Sequence, residues 1–170
     1  WIASILAQTG QYTDPYSAMT HGNWLPGYHF LIAPVLLVLG SHIMPLIKLA
    51  NVVFALGTAG VIYLLARPRG KWTAVLATTF FVLNPVDVVI SSYAIPESMT
   101  LFLVFGGVLL AERRLLGHNR SLVLASAAFL AASTMRYEVW GFLGIYLLWK
   151  WRSKAYTGRE LWVLALPAVV

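Results

Sequence analysis

An all-α fold, a polytopic transmembrane helix bundle with short interfacial helices in its first external loop, is what this sequence predicts. Of its 170 residues 59% are hydrophobic and 11% charged, against roughly 45–50% and 25% in soluble domains. Mean hydropathy is +0.75. The apolar residues fall into runs of helical length, and the basic residues collect in short clusters between every second run.

The opening stretch Trp1 to Gly10 sets Ile2, Ile5 and Leu6 at helical spacing and ends on a glycine suited to a C-cap. It reads as a short amphipathic helix at the membrane surface. Tyr12 to His29 is a polar and aromatic run with little aliphatic content, and Phe30 to Leu39 is apolar but short. Even counted from Trp24 that segment reaches about 24 Å, less than the roughly 30 Å hydrocarbon core. Its length, Pro26 and Pro34 favour an interfacial helix. A crossing would instead move Tyr12 to His29 to the opposite face.

The remaining candidate spans are Leu46 to Ala66, Trp72 to Ile90, Ile95 to Ala111, Leu122 to Met135 and Val139 to Trp149. Three basic loops alternate with them: Arg67, Arg69, Lys71; Arg113, Arg114, Arg120; and Lys150, Arg152, Lys154, Arg159. Two spans separate each loop from the next, so all three share a side, which the positive-inside rule makes cytoplasmic. The other side collects Asp14, Asp87, Glu97 and Glu138 with His21, His29 and Arg136. Residues 1–40 are therefore expected to be part of the first external loop and 41–170 a transmembrane bundle. The start at Trp1 and the short apolar segment Leu161 to Val170 predict a chain cut at both ends. The expected location is an integral, multi-pass membrane protein, in the cell membrane if prokaryotic, with a non-cytoplasmic active side.

Without cysteine there is no disulfide or thiolate-metal framework. No Walker loop, dinucleotide glycine fingerprint or Ser-His-Asp spacing occurs. The basic loops lack interleaved aromatics and are explained by topology, so no nucleic-acid partner is expected.

Three constellations can carry chemistry. In the first, Asp14 precedes Pro15 and is either an Asx-turn residue or a carboxylate able to act as base or metal ligand. His21 and His29 lack zincin spacing, though a loop could join them. Trp24, Tyr28 and Phe30 suit an interfacial belt, stacking on a sugar or lining a prenyl groove. In the second, Pro85 and Pro96 bracket a turn between spans. Glu97 behind Pro96 either complements a helix dipole or faces Asp14 across the outer surface. Asp87 is expected to cap or terminate its helix. The third is Arg136-Tyr137-Glu138. Residues two apart do not share a helix face, so Arg136 and Glu138 are not expected to pair with each other. An Arg near the outer boundary is suited to a phosphate, and the bland alternative is an exposed boundary pair.

Three stretches together resemble the GT-C superfamily of membrane glycosyltransferases, in the branch of protein O-mannosyltransferases and lipid-A aminoarabinose transferases. They are Ala7 to Tyr12 with Asp14-Pro-Tyr and Trp24-Leu-Pro-Gly-Tyr28; Asn84-Pro85 through Tyr93-Ala-Ile-Pro-Glu97; and Thr134-Met-Arg-Tyr-Glu138. The resemblance implies sugar transfer from a polyprenyl-phosphate donor to a protein, lipid or glycan acceptor on the non-cytoplasmic side. It implies catalytic roles for Asp14 and Glu97, substrate contacts from His21, Trp24, Tyr28, His29, Arg136 and Glu138, and a divalent cation where members use one. In that family the chief acid lies in the first external loop, as a pair shortly before the helix that Trp1 to Gly10 resembles. No acid precedes Asp14 here, so the main catalytic acid is expected ahead of Trp1. The competing classes are a transporter or flippase subunit whose charges line a substrate path, and a non-catalytic scaffold. A transporter would show an internal repeat, and the sequence has none.

Overall fold

A computed structural model of the chain describes residues 27–40, 43–93, 95–114 and 120–165, and these are all helical or turn. Asp14, His21, Trp24 and the expected Trp1 to Gly10 helix lie outside the described residues. The α-helices are α1 (Gly27–Leu39), α2 (Met44–Ala66), α3 (Lys71–Val82), α4 (Pro85–Ser91), α5 (Glu97–Arg114), α6 (Arg120–Ser133), α7 (Glu138–Arg152) and α8 (Gly158–Ala165). A 3-10 turn, Arg67–Arg69, extends α2.

The first three helices follow apolar runs and stop at breakers: Gly40 after α1, Gly70 after the 3-10 extension of α2, and Asn84-Pro85 after α3. Pro45 in the first turn of α2 needs no donated backbone hydrogen bond, and Gly70, at φ 124°, closes the 3-10 turn in a conformation that favours glycine. Among the described residues, α2 with its 3-10 extension is the one helix long and apolar enough to cross a membrane, 26 residues in all. Only 22% of its apolar window is buried, and Leu46, Leu49, Val53 and Leu56 stand exposed along it.

The expected single span from Trp72 to Ile90 is broken. Asn84 leaves the helical region (φ −66°, ψ 113°) and its Oδ1 accepts from the Val86 amide at 3.1 Å, starting α4 with Pro85 in its first turn. A proline there disfavours the helical conformation of the residue before it, which is why the run splits into α3 and α4. Asn84 is the cap, and Asp87 lies inside α4 and does not terminate it.

The packed centre is α5 between α2 and α6. Val104 meets Ala132 of α6 and Val139 of α7, while Gly107 lies under the fully buried ring of Phe129 of α6. Ala111, Ala125, Leu143, Tyr146, Tyr156 and Leu164 continue this core toward the basic end. Against α2, Gly57 accepts the ring of Phe102. A Cβ at Gly107 would sit 2.8 Å from Phe129 Cε1, whereas one at Gly106 meets nothing within 4 Å. Gly107→Ala is therefore expected to destabilise by about 1–3 kcal/mol through overpacking. Gly106→Ala should be neutral or slightly stabilising, because alanine favours a helix. Thermal melts of the two neighbouring variants check this, and equal melts would refute the close α5/α6 approach.

Leu36 and Ile47 form a small separate cluster where α1 turns back along the start of α2, with Ile32, Ile43 and Met44 around them. α2, α5 and α7 all begin at the same end of the bundle as the turn between α6 and α7. Arg67, Arg69, Lys71, Arg113, Arg120, Lys150, Arg152, Lys154 and Arg159 lie at the other end.

Candidate functional site

Glu97 is the first residue of α5, where an acid complements the positive helix end. Pro96 ahead of it is buried, and its carbonyl accepts from the Thr100 amide at 2.8 Å. Arg136 sits in the turn between α6 and α7, tied by its amide to the Ala132 carbonyl at 3.2 Å. Glu138 is the first residue of α7.

These three side chains meet. Arg136 Nη1 donates to Glu97 Oε1 at 2.6 Å. Arg136 Nε and Nη2 donate to the two oxygens of Glu138 at 3.0 and 2.6 Å. The expectation that Arg136 and Glu138 would not pair is corrected: it assumed helix for both, whereas Arg136 lies in the turn and its side chain folds back over the start of α7. The fork-on-carboxylate geometry is the strong form of this contact. Its hydrogen bond holds the Glu138 carboxyl below the ordinary carboxylate range and raises the Arg136 guanidinium further.

A pH dependence follows. Because the folded state lowers the Glu138 pKa, its stabilising contribution is complete above the ordinary carboxylate value. That contribution is lost as pH falls through the depressed one. The stability difference between wild type and Glu138→Gln should therefore be present at neutral pH, begin to shrink below roughly pH 4, the ordinary carboxylate value, and vanish only below the depressed one. Melts across pH check it, and a difference that survives in acid would contradict the pairing.

The cluster carries a net charge of −1 and one open acceptor: Glu97 Oε2 is buried and has no hydrogen-bond partner among the described residues. Arg136 retains one N–H on each of Nη1 and Nη2 beyond those given to the two carboxylates. An unpartnered carboxylate oxygen and two uncommitted guanidinium hydrogens thus belong to one cluster. The guanidinium occupies the space between the carboxylates where a cation would have to sit. Among the described residues no three His, Asp or Glu side chains converge as metal ligands. The described side chains do not fit a divalent cation.

The first constellation reaches this place through its last residues. Tyr28 and His29, both buried, pack edge to face with centroids 5.8 Å apart. The Gly27 amide donates to the Thr134 carbonyl at 2.9 Å, and a Cβ on Gly27 would collide with Thr134.

The residue that sequence reasoning missed is Asn51. It is 1% exposed in α2, and its Nδ2 donates to the carbonyls of Tyr93 at 2.6 Å and Ile95 at 3.0 Å. It also lies 3.5 Å from the Tyr28 hydroxyl. Asn51 thereby clasps the segment that delivers Glu97 and sets it beside the start of α1. The available signal was a lone amide inside a long apolar run. Lys150, counted in sequence with the third basic loop, is also buried. It pairs with Glu112 at 2.5 Å and lies 4.3 Å from the Trp149 ring centroid.

Compared with protein-family models, curated proteins and solved structures, the chain gives no match.

Proposed function

We propose that this chain belongs to a multi-pass membrane glycosyltransferase of the GT-C type. It would move a sugar from a polyprenyl-phosphate donor to an acceptor on the non-cytoplasmic side. One observation carries the reading: described residues from each of the three stretches on which the resemblance rests, far apart in sequence, meet at one end of the bundle. Gly27 bonds Thr134, Asn51 joins Tyr28 to the 93–95 segment, and Glu97, Arg136 and Glu138 form one cluster. The exposed apolar face of α2 and the basic residues at the opposite end support the membrane setting.

In this mechanism a carboxylate takes the proton of an acceptor hydroxyl or amine, whose heteroatom attacks the anomeric carbon, and we assign that role to Glu97 Oε2 in place of the acid that the resemblance puts ahead of Trp1. The bond from that carbon to the phosphate oxygen breaks, and the electron pair leaves with the prenyl phosphate. The remaining Arg136 N–H groups stabilise the charge that develops there. Glu138 fixes the guanidinium, a positioning task in place of the substrate contact that the resemblance implies. The resemblance adds a catalytic role for Asp14 and sugar or acceptor contacts from His21, Trp24, Tyr28 and His29. The alternative, a transporter or flippase subunit, draws on a second ion pair, buried Lys150 with the half-buried Glu112, at the far end of α5 and α7.

Labelling a cysteine placed at Ser17 in sealed vesicles tests the sidedness. The proposal expects reaction with an impermeant reagent from the non-cytoplasmic face, and labelling from the cytoplasmic face alone would remove it.

A further inference from the structure

At the basic end, α7 and α8 diverge around an apolar groove of about 440 Å³. Its walls are Leu147, Leu148 and Trp151 from α7 and Leu161 and Trp162 from α8. The two tryptophans are among the most exposed large side chains, at 66% and 72%. α8 is held in place independently of them: Leu161, Val163 and Leu164 pack on the core, and the Val163 carbonyl accepts from Ser126 Oγ at 2.7 Å.

The connection that closes one end of the groove is cationic. Arg152 is the last residue of α7, Lys154 lies in the turn and Arg159 is the second residue of α8, so three exposed cations gather at the end of the groove where the two helices join. Lys154 is the one non-glycine residue with positive φ among the described residues, at 54°, a conformation uncommon outside glycine and asparagine. The turn thus carries a cation where a glycine would be easier. The nearby acid, Glu160, accepts from the Thr157 amide at 2.8 Å and from its hydroxyl at 3.0 Å, and Thr157 Oγ1 accepts from the Glu160 amide. That capping box turns the carboxylate to the helix end.

An open apolar groove walled by two exposed tryptophans, with three cations at the joined end of its helices, matches an amphiphile with an anionic head. We propose that the groove between α7 and α8 seats one acyl chain of an anionic phospholipid, with its phosphate among Arg152, Lys154 and Arg159. The inference rests on the multi-pass membrane reading but not on sugar transfer. Its ligand lies at the opposite end from Glu97 and Arg136, where tryptophan belts and juxtamembrane cations meet the headgroups.

The test uses the full-length protein in phosphatidylcholine nanodiscs, with brominated phosphatidylglycerol or brominated phosphatidylcholine as quencher of tryptophan fluorescence. The expected result is half-maximal quenching at a roughly tenfold lower fraction of the anionic lipid, since each surface cation adds to its attraction. The preference should disappear in the Arg152→Gln, Lys154→Gln, Arg159→Gln triple variant. It should also weaken in Gly158→Leu, where the new Cβ meets nothing within 4 Å and the side chain fills the groove. Equal quenching by the two lipids, or a preference that survives in both variants, would overturn the lipid site and leave the membrane reading standing. A protein that does not enter the discs would overturn both.

Discussion

Glu97→Gln in the full-length protein is expected to lower sugar transfer by roughly two to four orders of magnitude, the usual contribution of a positioned acid–base group. The substitution is nearly isosteric, and the amide oxygen still accepts from Arg136 Nη1, now 2.6 Å from Glu97 Oε1. Folding should therefore change little, by about 1 kcal/mol, the scale of one hydrogen bond. What is lost is the oxygen that takes the proton, the buried Oε2 with no partner among the described residues. A melt close to wild type with transfer nearly abolished is the expected pair of results. Wild-type transfer by this variant would remove Glu97 from the mechanism.

Arg136→Ala is expected to damage both stability and rate. Its guanidinium is shared by two carboxylates, and its side chain and that of Glu97 are 23% and 20% exposed. Removing one partner of a fully buried pair costs about 3–5 kcal/mol, and this partial exposure reduces the expectation to about 2 kcal/mol. Transfer should fall by a further factor of about 10²–10³, the typical loss when a donor to a developing negative charge is removed. Arg136→Lys separates the two roles. A lysine restores the positive charge but cannot bind Glu138 through two parallel N–H groups, so stability should recover more than rate. Equal recovery of both would show that only the charge matters there.

Much of the helical frame was legible in the sequence because apolar runs end at residues with a physical reason to end them. Met44–Ala66, Arg120–Ser133 and Glu138–Arg152 lie close to the runs expected from Leu46, Leu122 and Val139. The break at Asn84 was harder to read. Both sides of it are apolar, so hydropathy runs through it, and only the cap and proline chemistry of two residues interrupts the helix. The site was partly legible. Glu97, Arg136 and Glu138 stood out as charges in apolar surroundings, but the rule used to separate Arg136 from Glu138 applies inside a helix, and Arg136 lies in a turn. Asn51 and Lys150 were hidden for a shared reason. Each is defined by partners more than 30 residues away, the carbonyls of Tyr93 and Ile95 for one and Glu112 for the other.

The most direct measurement is transfer from a radiolabelled polyprenyl-phosphate sugar by the full-length protein in sealed vesicles of known orientation, with acceptor supplied to one face at a time. The account predicts labelled product and released prenyl phosphate only when the acceptor is on the non-cytoplasmic face, with both lost in Glu97→Gln. Product formed from the basic, cytoplasmic face, or no transfer from either face, would contradict it.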